Sequence, residues 1–356
     1  MDSNGHELEK RLGKVMSQVK VSIKDVAARA GVSVTTVSHV LNDVPGKRIT
    51  DATRDRVRRA AGELGYSPSS VARNLRLQRS QMLALISDEI ATTPYAGRMI
   101  LGAQEAASKA GWLLMLVNTG SDSEFEAAEI QALRQRQVDG FLYATMYHRE
   151  VTLPDAIAGV PTVLLDARSE NSDVPSVVPD EVAGGRTATD ELIRHGHQRI
   201  GFVNNVDDIP ATHGRLEGYR AALQEAGIKF DKRLVAAQTS DTEGGLQAAR
   251  QLLEATERPT ALFCFNDRMA MGAYHAAAEL GLRIPQDLSV VGFDNQELIA
   301  DGLRPGLTTV ALPHYEMGAW AVEALIARIE GREGAEHEAL SCPLVIRNSV
   351  DRPASS

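Results

Sequence analysis

Small methyl, hydroxyl and imidazole groups are concentrated in residues 31–42, which read GVSVTTVSHVLN. At helical spacing one face is apolar and consists of Val37, Val40 and Leu41. The opposite face carries the groups that could do chemistry: Val34, Thr35, Ser38 and His39. Methyl groups can contact thymine, while hydroxyl and imidazole groups can hydrogen-bond to base edges. The pattern therefore favours a helix that lies against DNA, with docking on another protein as the alternative.

Three predicted helices would position these groups. The segment IKDVAARAG has helical spacing with Asp25 in its first turn, and Gly31 is suited to end it. Ser33 can cap the second helix by accepting a hydrogen bond from a backbone amide. Thr50 can cap a third helix over DATRDRVRRAAGEL, which Gly65 would end. Two short helices joined through GVS form a helix-turn-helix, here predicted within residues 21–66.

Charge is unevenly distributed along the chain. Residues 1–80 contain 15 Lys and Arg against 8 Asp and Glu, a net charge of +7, although the 356-residue chain carries −9. Residues 81–356 therefore carry −16. A basic head on an acidic body indicates a local contact with nucleic acid by a protein that otherwise repels phosphate.

Short apolar strands alternate with helices from residue 81 onward, as in MLALIS, WLLMLVN, GFLYAT and TVLLD, and the alternation starts again before RIGFV. Such alternation is typical of parallel sheets flanked by helices. Two series of similar length predict two lobes, and ligands of such sheets lie outside the carboxyl ends of the strands. The predicted fold is a small all-α helix-turn-helix DNA-binding domain followed by a two-lobed α/β domain with doubly wound parallel sheets.

Several classes of protein are disfavoured. No run approaches the roughly 20 apolar residues that cross a membrane, and the start MDSNGHELEK lacks signal-peptide features, so we expect a cytoplasmic protein. Cys264 and Cys342 have no neighbours at ligand spacing, which predicts buried free thiols and neither metal nor cofactor. No phosphate loop or nucleophile elbow occurs, so we expect no enzyme. His195 and His197 are interpreted as cationic or capping residues where a helix ends.

The combined motifs resemble the LacI/GalR (lactose/galactose repressor) family of bacterial transcription regulators. The resemblance rests on SIKDVAARAGVSVTTVSHVLN and TRDRVRRAAGELGYSPSSVARNLR in the head, and on RIGFV, RLEGYRAAL, FCFNDRMAMGA and LGLRIPQDLSVVGFDN in the body. It covers the chain from about residue 21. His39 departs from the family pattern, which usually has Arg there, so the base preferred by this position is left open.

The resemblance implies a homodimer that reads a near-palindromic double-stranded DNA operator, one half-site for each head. It also implies a hinge helix in SSVARNL, with Leu75 inserted between central base pairs. Packing of Leu75 on the body is the alternative. The end LVIRNSVDRPASS has no heptad repeat, so we expect a dimer rather than a tetramer. The candidate DNA-contacting residues are Ser22, Ser33, Val34, Thr35, Thr36, Ser38, His39, Asn42, Arg48, Ser69, Ala72, Arg73 and Leu75.

For the body, the resemblance implies a fold like that of periplasmic sugar-binding proteins, with a mono- or disaccharide effector between the lobes. Carboxylate, amide and guanidinium groups at strand ends suit vicinal hydroxyls. The candidate effector-binding residues are Tyr95, Met146, Asp166, Arg215, Asn266, Phe293 and Asp294. The rings of Tyr95, Tyr147 and Phe293 would either stack on a sugar or simply pack. Met146, Tyr147 and His148 are expected in a loop after a strand, near the cleft.

These features predict a chain of five parts. They are a flexible extension (1–20, with Met16 as a second candidate start), the helix-turn-helix domain (21–66), the hinge helix and linker (67–80), an N-terminal lobe (81–178 plus 313–340) and a C-terminal lobe (179–312 plus 341–356). The expected function is allosteric control of carbohydrate-utilisation genes by a sugar-responsive regulator, acting as a repressor. A cytosolic sugar-binding or transport-related protein is the alternative, which fits the body but not the basic head.

Overall fold

The computed structural model describes residues 21–42, 44, 46–66, 79–90, 97–120, 122–169, 173–334 and 336–354. The chain divides into two compact units between Ser80 and Gln81. In the described residues the smaller unit is helical, and the larger one contains two six-stranded sheets.

Three helices form the smaller unit, namely α1 (Ile23–Ala30), α2 (Val34–Leu41) and α3 (Asp51–Leu64). Gly31 follows α1 in the left-handed conformation, at φ +65°, which glycine adopts without steric cost. The Ser33 hydroxyl accepts a hydrogen bond from the Thr36 amide at 3.1 Å, which caps α2. Thr50 and Gly65 have the same two roles at the ends of α3. The predicted caps and stops are confirmed.

Small apolar side chains hold these three helices together. Val26, Val37 and Val57 come one from each helix, and all three are fully buried. The buried set is completed by alanines, while larger groups such as Leu41 and Tyr66 lie at its edge. Because valine and alanine are short, the helices can pack closely, and the predicted helix-turn-helix is confirmed.

The first sheet of the larger unit is entirely parallel. Its strands are β1 (Met82–Ser87), β2 (Leu113–Asn118), β3 (Gly140–Glu150), β4 (Thr162–Arg168), β5 (Ser176–Pro179) and β11 (His337–Leu340). Their order across the sheet is β11-β5-β4-β3-β1-β2. The helices of this part are α4 (Gly97–Lys109), α5 (Ser123–Gln135) and α11 (His314–Ile329).

The second sheet is parallel except for its last strand, which runs antiparallel to its neighbour. Its strands are β6 (Ile200–Asn205), β7 (Val235–Gln238), β8 (Ala261–Cys264), β9 (Ser289–Asp294), β10 (Thr308–Ala311) and β12 (Leu344–Val345). Their order is β12-β10-β9-β8-β6-β7. The helices here are α6 (Glu181–Arg194), α7 (Pro210–Glu225), α8 (Thr242–Leu253), α9 (Asp267–Glu279) and the short α10 (Glu297–Ala300).

The first sheet lies between layers of helices, as the alternation of buried side chains along β1 shows. Leu83 and Leu85 join one apolar cluster with residues of α4 and α11. Ala84 and Ile86 join a separate cluster with residues of α5. Since successive side chains of a strand point to opposite faces, both faces of this sheet are covered. The predicted α/β class with two doubly wound sheets is confirmed.

The chain passes between the two sheets three times within the described residues. It does so after β5, after β10 and after β11, because β11 returns to the first sheet and β12 to the second. The three passages bring strand ends of both sheets close together. They therefore determine where a cleft can open.

Some local predictions were wrong. Met146, Tyr147 and His148 lie within β3 rather than in a loop, because β3 continues past a register break and Arg149 pairs with Ala167 of β4. The strand β7 and the helix α8 were not predicted. The first is only four residues long, and the second begins TEGG, where paired glycines obscure the helical pattern.

Both cysteines are buried free thiols, as predicted. Burial raises the pKa of each thiol well above its ordinary value, so both remain protonated. His195 forms the C-cap of α6, as expected for a helix end. His197 is instead buried and hydrogen-bonded to Thr260 and Ser289, and burial lowers its pKa, so it is neutral rather than cationic. Among the described helices, none combines the length and apolar character that a membrane crossing requires.

The helices α6 and α7 cross in close contact, and glycine makes the contact possible. A methyl group at Gly218 of α7 would overlap the carbonyl oxygen of Val182 and lie 2.5 Å from the amide nitrogen of Arg186, both in α6. These neighbours are backbone atoms, which cannot turn aside as a flexible side chain can. A side chain at Gly218 would therefore push the two helices apart.

We predict that Gly218→Ala lowers the free energy of unfolding by about 1–3 kcal/mol, because overpacking displaces backbone. The matched control is Gly62→Ala, also within a helix but with open space around the new methyl group. That control should be neutral or stabilising by up to about 1 kcal/mol, because alanine favours helix. Denaturant titrations of both variants test this, and equal effects would contradict the close crossing.

Candidate functional site

The outer face of α2 presents the groups that the sequence singles out. Val34 is 40% exposed and Thr35 is exposed, while Ser38 and His39 are half-buried. Val37, on the other face, is fully buried. No acidic residue lies in the first turn of α2, so the exposed amides at its N-terminus keep their positive potential. This face can approach a polyanion closely.

Five of the predicted DNA-contacting residues also make side-chain hydrogen bonds within the smaller unit, namely Ser22, Ser33, Thr36, Ser38 and Asn42. The Ser22 hydroxyl donates to Oδ2 of Asp25 at 2.6 Å, at the start of α1. The Asn42 amide donates to the carbonyl oxygen of Ser38 at 2.7 Å, which closes α2. These residues therefore have a structural role in addition to any contact with DNA. The exposed Lys47 and Arg48 follow α2 and add positive charge.

Five predicted site residues lie outside the described residues. They are Ser69, Ala72, Arg73 and Leu75 of the expected hinge helix and Tyr95 of the expected effector site.

A cavity of about 660 Å³ lies in the larger unit, where the chain passes between the two sheets. All three passages contribute to its lining, through Pro179 and Glu181, through Leu312 and Pro313, and through Ser341. Strand ends of both sheets complete it. Five of the predicted effector residues line this one cavity: Met146, Asp166, Arg215, Asn266 and Asp294.

Arg215 is the central cation of the cavity and extends from α7. Its Nε donates to the Glu181 carboxylate at 2.7 Å, and its Nη1 lies 3.5 Å from Oδ1 of Asp294. Its guanidinium lies between the rings of Phe265 and Phe293, 4.4 and 3.7 Å from their centroids. Although burial opposes the charge, the two carboxylates raise the pKa of Arg215 above its ordinary value. The side chain is therefore a fixed cation with few remaining donors.

Asp166 is buried in the cavity wall, with only 4% of its surface exposed. Its backbone has φ +57°, in the left-handed region, and its carbonyl oxygen accepts a 2.6 Å hydrogen bond from the Thr145 hydroxyl. Its Oδ1 atom is buried without a hydrogen-bond partner. Burial, together with the nearby Glu181, raises the pKa of Asp166 well above its ordinary value. Its surroundings therefore favour the protonated form of the side chain.

The second sheet provides the amide groups of the cavity. Asn266 caps α9 by accepting a bond from the Met269 amide at 2.8 Å, and its Nδ2 donates to the Ser240 carbonyl at 3.0 Å. Gln296 donates from Nε2 to Oδ2 of Asp294 at 2.9 Å, while its Oε1 is buried without a partner. Asp294 itself has φ +100°. Unpaired polar atoms and backbone strain thus coincide along this wall.

Of the described aromatic candidates, one packs in the interior and one lines the cavity. Phe293 does not line the cavity; it is fully buried, stacked under Arg215 and tilted against Phe263, so it packs. Tyr147 lines the mouth and is exposed. His148 also lines the cavity, and burial lowers its pKa to about 4, so its ring is neutral at pH 7.

Sequence reasoning missed Glu181, Gln296 and Arg98. Glu181 follows the strand-end residue Pro179 by two positions in the run VVPDEV, where a carboxylate could have been suspected. Gln296 follows the strand-end residue Asp294 by two positions. Arg98 has no local signal, because its partner is Glu297 on α10, 199 positions away at 3.3 Å. No cluster of metal-ligating side chains occurs among the described residues.

Two family models match the chain. "Bacterial regulatory proteins, lacI family" matches residues 22–69, and "Periplasmic binding proteins and sugar binding domain of LacI family" matches residues 80–348. The chain is 36% identical over 333 residues to the transcriptional repressor PurR of Vibrio atlanticus (strain LGP32), covering 92% of this chain and 98% of that protein.

Two solved structures are also similar. One is a lac repressor dimer bound to operator and the anti-inducer ONPF, with a TM-score of 0.72 and 26% identity over 93% of this chain and 99% of that one. The other is a complex of the transcriptional regulator CelR with cellobiose, with a TM-score of 0.66 and 32% identity over 92% of this chain and 99% of that one.

We predict that Arg215→Met lowers the free energy of unfolding by about 3–5 kcal/mol, because it leaves the buried Glu181 without its cation. Adding Glu181→Gln to that variant should recover part of the loss. Arg186→Ala, which removes the cation of an exposed pair with Glu225, is the control and should cost at most about 1 kcal/mol. Denaturant titration measures all three variants, and similar losses for Arg215→Met and Arg186→Ala would contradict the central role of Arg215.

Proposed function

Because the chain belongs to the LacI family of bacterial regulatory proteins, we propose that it represses carbohydrate-utilisation genes under the control of a small sugar-like effector. In this proposal α2 reads the operator, and the cavity holds the effector. The main support for this proposal is that one chain contains both a helix face suited to DNA and a cavity suited to a small ligand. A helix face with exposed methyl and hydroxyl groups lies in the smaller unit, and a cavity with carboxyl, amide and guanidinium groups in its lining lies where the larger unit's sheets meet.

We propose that Val34, Thr35, Ser38 and His39 contact base edges. Small side chains allow the helix axis to come near the floor of the major groove. The exposed Lys47 and Arg48 are suited to phosphates, which position a protein without reading sequence. The positive charge of residues 1–80 supports the same interpretation.

We propose a homodimer on a near-palindromic operator. One small helix-turn-helix reads only a half-site, and a two-fold axis doubles the contact. The similarity to a lac repressor dimer bound to operator supports this state. In the same proposal residues 67–80 form the hinge, with Ser69, Ala72, Arg73 and Leu75 contacting DNA and Leu75 as the wedge.

For the effector we propose a mono- or disaccharide. A cavity of about 660 Å³ suits a ligand of that size. Carboxyl, amide and guanidinium groups converge on it, as polyol recognition requires. The similar CelR structure was solved with cellobiose.

We propose that the effector acts by changing how the two sheets are oriented. Since the cavity is built on the three chain passages, a ligand there contacts both sheets at once. Allosteric coupling is typically about 1–3 kcal/mol, or roughly 5- to 150-fold in affinity. A change of that size is sufficient to alter operator occupancy.

We predict that His39→Arg makes one half-site position prefer guanine by about 1–3 kcal/mol, because Arg can donate two hydrogen bonds to guanine. Selection of the full-length protein on randomised half-sites measures the preference. Lys47→Ala is the control, and it should weaken all sequences alike and reduce the salt slope by about one. An unchanged preference in His39→Arg would remove this residue from the DNA interface.

We predict that Asp294→Ala removes the response to effector, because it deletes a carboxylate of the cavity and a partner of Arg215. A thermal-shift screen of mono- and disaccharides identifies binding ligands, and operator titration with and without them measures the response. Asp231→Ala, at a half-buried carboxylate that does not line the cavity, should respond like the native protein. A normal response in Asp294→Ala would contradict the assignment of the cavity.

A further inference from the structure

The floor of the cavity has more carboxyl groups than cations to balance them. Glu181 and Asp294 pair with the Arg215 guanidinium, and Asp166 lines the same cavity within its electrostatic influence. Arg268, which also lines the cavity, is the second cation that acts on Asp294. With all groups ionised, this part of the cavity would therefore carry one unbalanced negative charge. A buried charge of that kind is costly unless something neutralises it.

Two buried acceptor atoms mark where hydrogen-bond donors are missing. Oδ1 of Asp166 and Oε1 of Gln296 have no partner, and their residues are 4% and 8% exposed. The Gln296 amide cannot exchange its ends freely, because its Nε2 donates to Asp294. An ionised Asp166 could therefore accept a hydrogen bond through Oδ1, as Gln296 could through Oε1. A ligand rich in N–H or O–H groups would satisfy them.

Asp166 is the group that the unbalanced charge affects most. It is surrounded by charged groups from four elements: Asp88 after β1, Glu181 on α6, Arg215 on α7 and Asp294 at the end of β9. Burial and three of these four groups favour its protonated form, which holds its pKa well above the ordinary value. A proton therefore supplies the missing positive charge when no ligand does.

Two of the three arginines that line the cavity are already paired with carboxylates. Arg98 pairs with Glu297, and Arg215 pairs with Glu181. His148 is neutral at pH 7, because burial lowers its pKa to about 4. A phosphate or carboxylate entering the cavity would meet more negative than positive groups, since six Asp and Glu but only three Arg line it.

We infer that the effector is an amino sugar, a polyol with one ammonium group that binds at Asp166. This inference rests on the proposed function and narrows its ligand class. The ammonium takes the place of the Asp166 proton, so Asp166 ionises, its proton passes to solvent and the charge of the cavity floor is balanced. The remaining hydroxyls bond to the amide and carboxyl groups of both sheets.

The test uses the full-length protein and matched ligands at pH 7. The panel is D-glucose and D-galactose, each with its 2-amino-2-deoxy, N-acetylamino and 6-phosphate derivatives. Thermal shift followed by calorimetry should show at least one amine binding at least tenfold more tightly than its parent, its N-acetyl derivative and its 6-phosphate. The calorimetry is then repeated in phosphate and MOPS buffers. The binding enthalpy of the amine should differ between the two buffers in the direction that proton release produces.

Two variants locate the effect. Asp166→Asn should reduce the preference for the amine to less than threefold and abolish the proton release. Asp208→Asn removes the same charge at an exposed residue outside the cavity lining, and this variant should keep both the amine preference and the proton release. Equal loss in the two variants would overturn the assignment to Asp166.

The outcomes separate this inference from the proposed function. If a neutral parent sugar binds as tightly as its amine, or if a 6-phosphate binds more tightly, the amino-sugar inference is wrong. The proposal of a sugar-controlled regulator still stands in that case. If no member of the panel binds, the amino sugar is overturned too, while the operator measurements, which need no ligand, still decide whether the protein is a regulator.

Discussion

The buried ion pair between Arg215 and Glu181 fixes much of the larger unit. Its two residues lie on α6 and α7, the helices that cross in contact through Gly218. The same guanidinium bonds to the Phe265 carbonyl and stacks on Phe293, so it also joins the ends of β8 and β9. A cation is needed here because carboxyl groups end up close together in a poorly solvated place. The position of the cavity wall follows from satisfying that one cation.

Backbone strain is concentrated along the same wall. Asp166, Asp294 and Asn295 line the cavity with positive φ values of +57°, +100° and +52°. Non-glycine residues adopt this region at a cost and only where their surroundings hold them. Here the hydrogen bond from Thr145 and the stacked rings around Arg215 keep these residues in that conformation. The wall is therefore set before any ligand arrives, which lowers the entropy lost on binding.

Local chemistry made the helices of the smaller unit predictable, whereas tertiary contacts decided what was missed. Gly31 and Ser33 act through neighbours within five positions, so their roles are visible in the sequence. The extension of β3 depends instead on pairing between Arg149 and Ala167, which no local pattern shows.

The candidate site behaves in the same way. The strand-end position of Asp294 was predictable from the alternation of strands and helices, but Phe293 was not assignable to packing until its contact with Arg215 was seen. The unpaired atoms of Asp166 and Gln296 are properties of the folded cavity alone. A sequence indicates which polar groups are near a cleft, and the fold determines which of them remain unsatisfied.

The late return of β11 to the first sheet has a consequence for how the protein is made. That sheet takes five strands from residues 82–179 and its last one from residues 337–340, and α11 joins it only a little earlier. During synthesis, one edge of the sheet and the face that α11 covers stay open while more than a hundred further residues emerge. Nascent chains must therefore keep apolar surface exposed until residues 314–340 have been made, and this interval is when chaperones matter most.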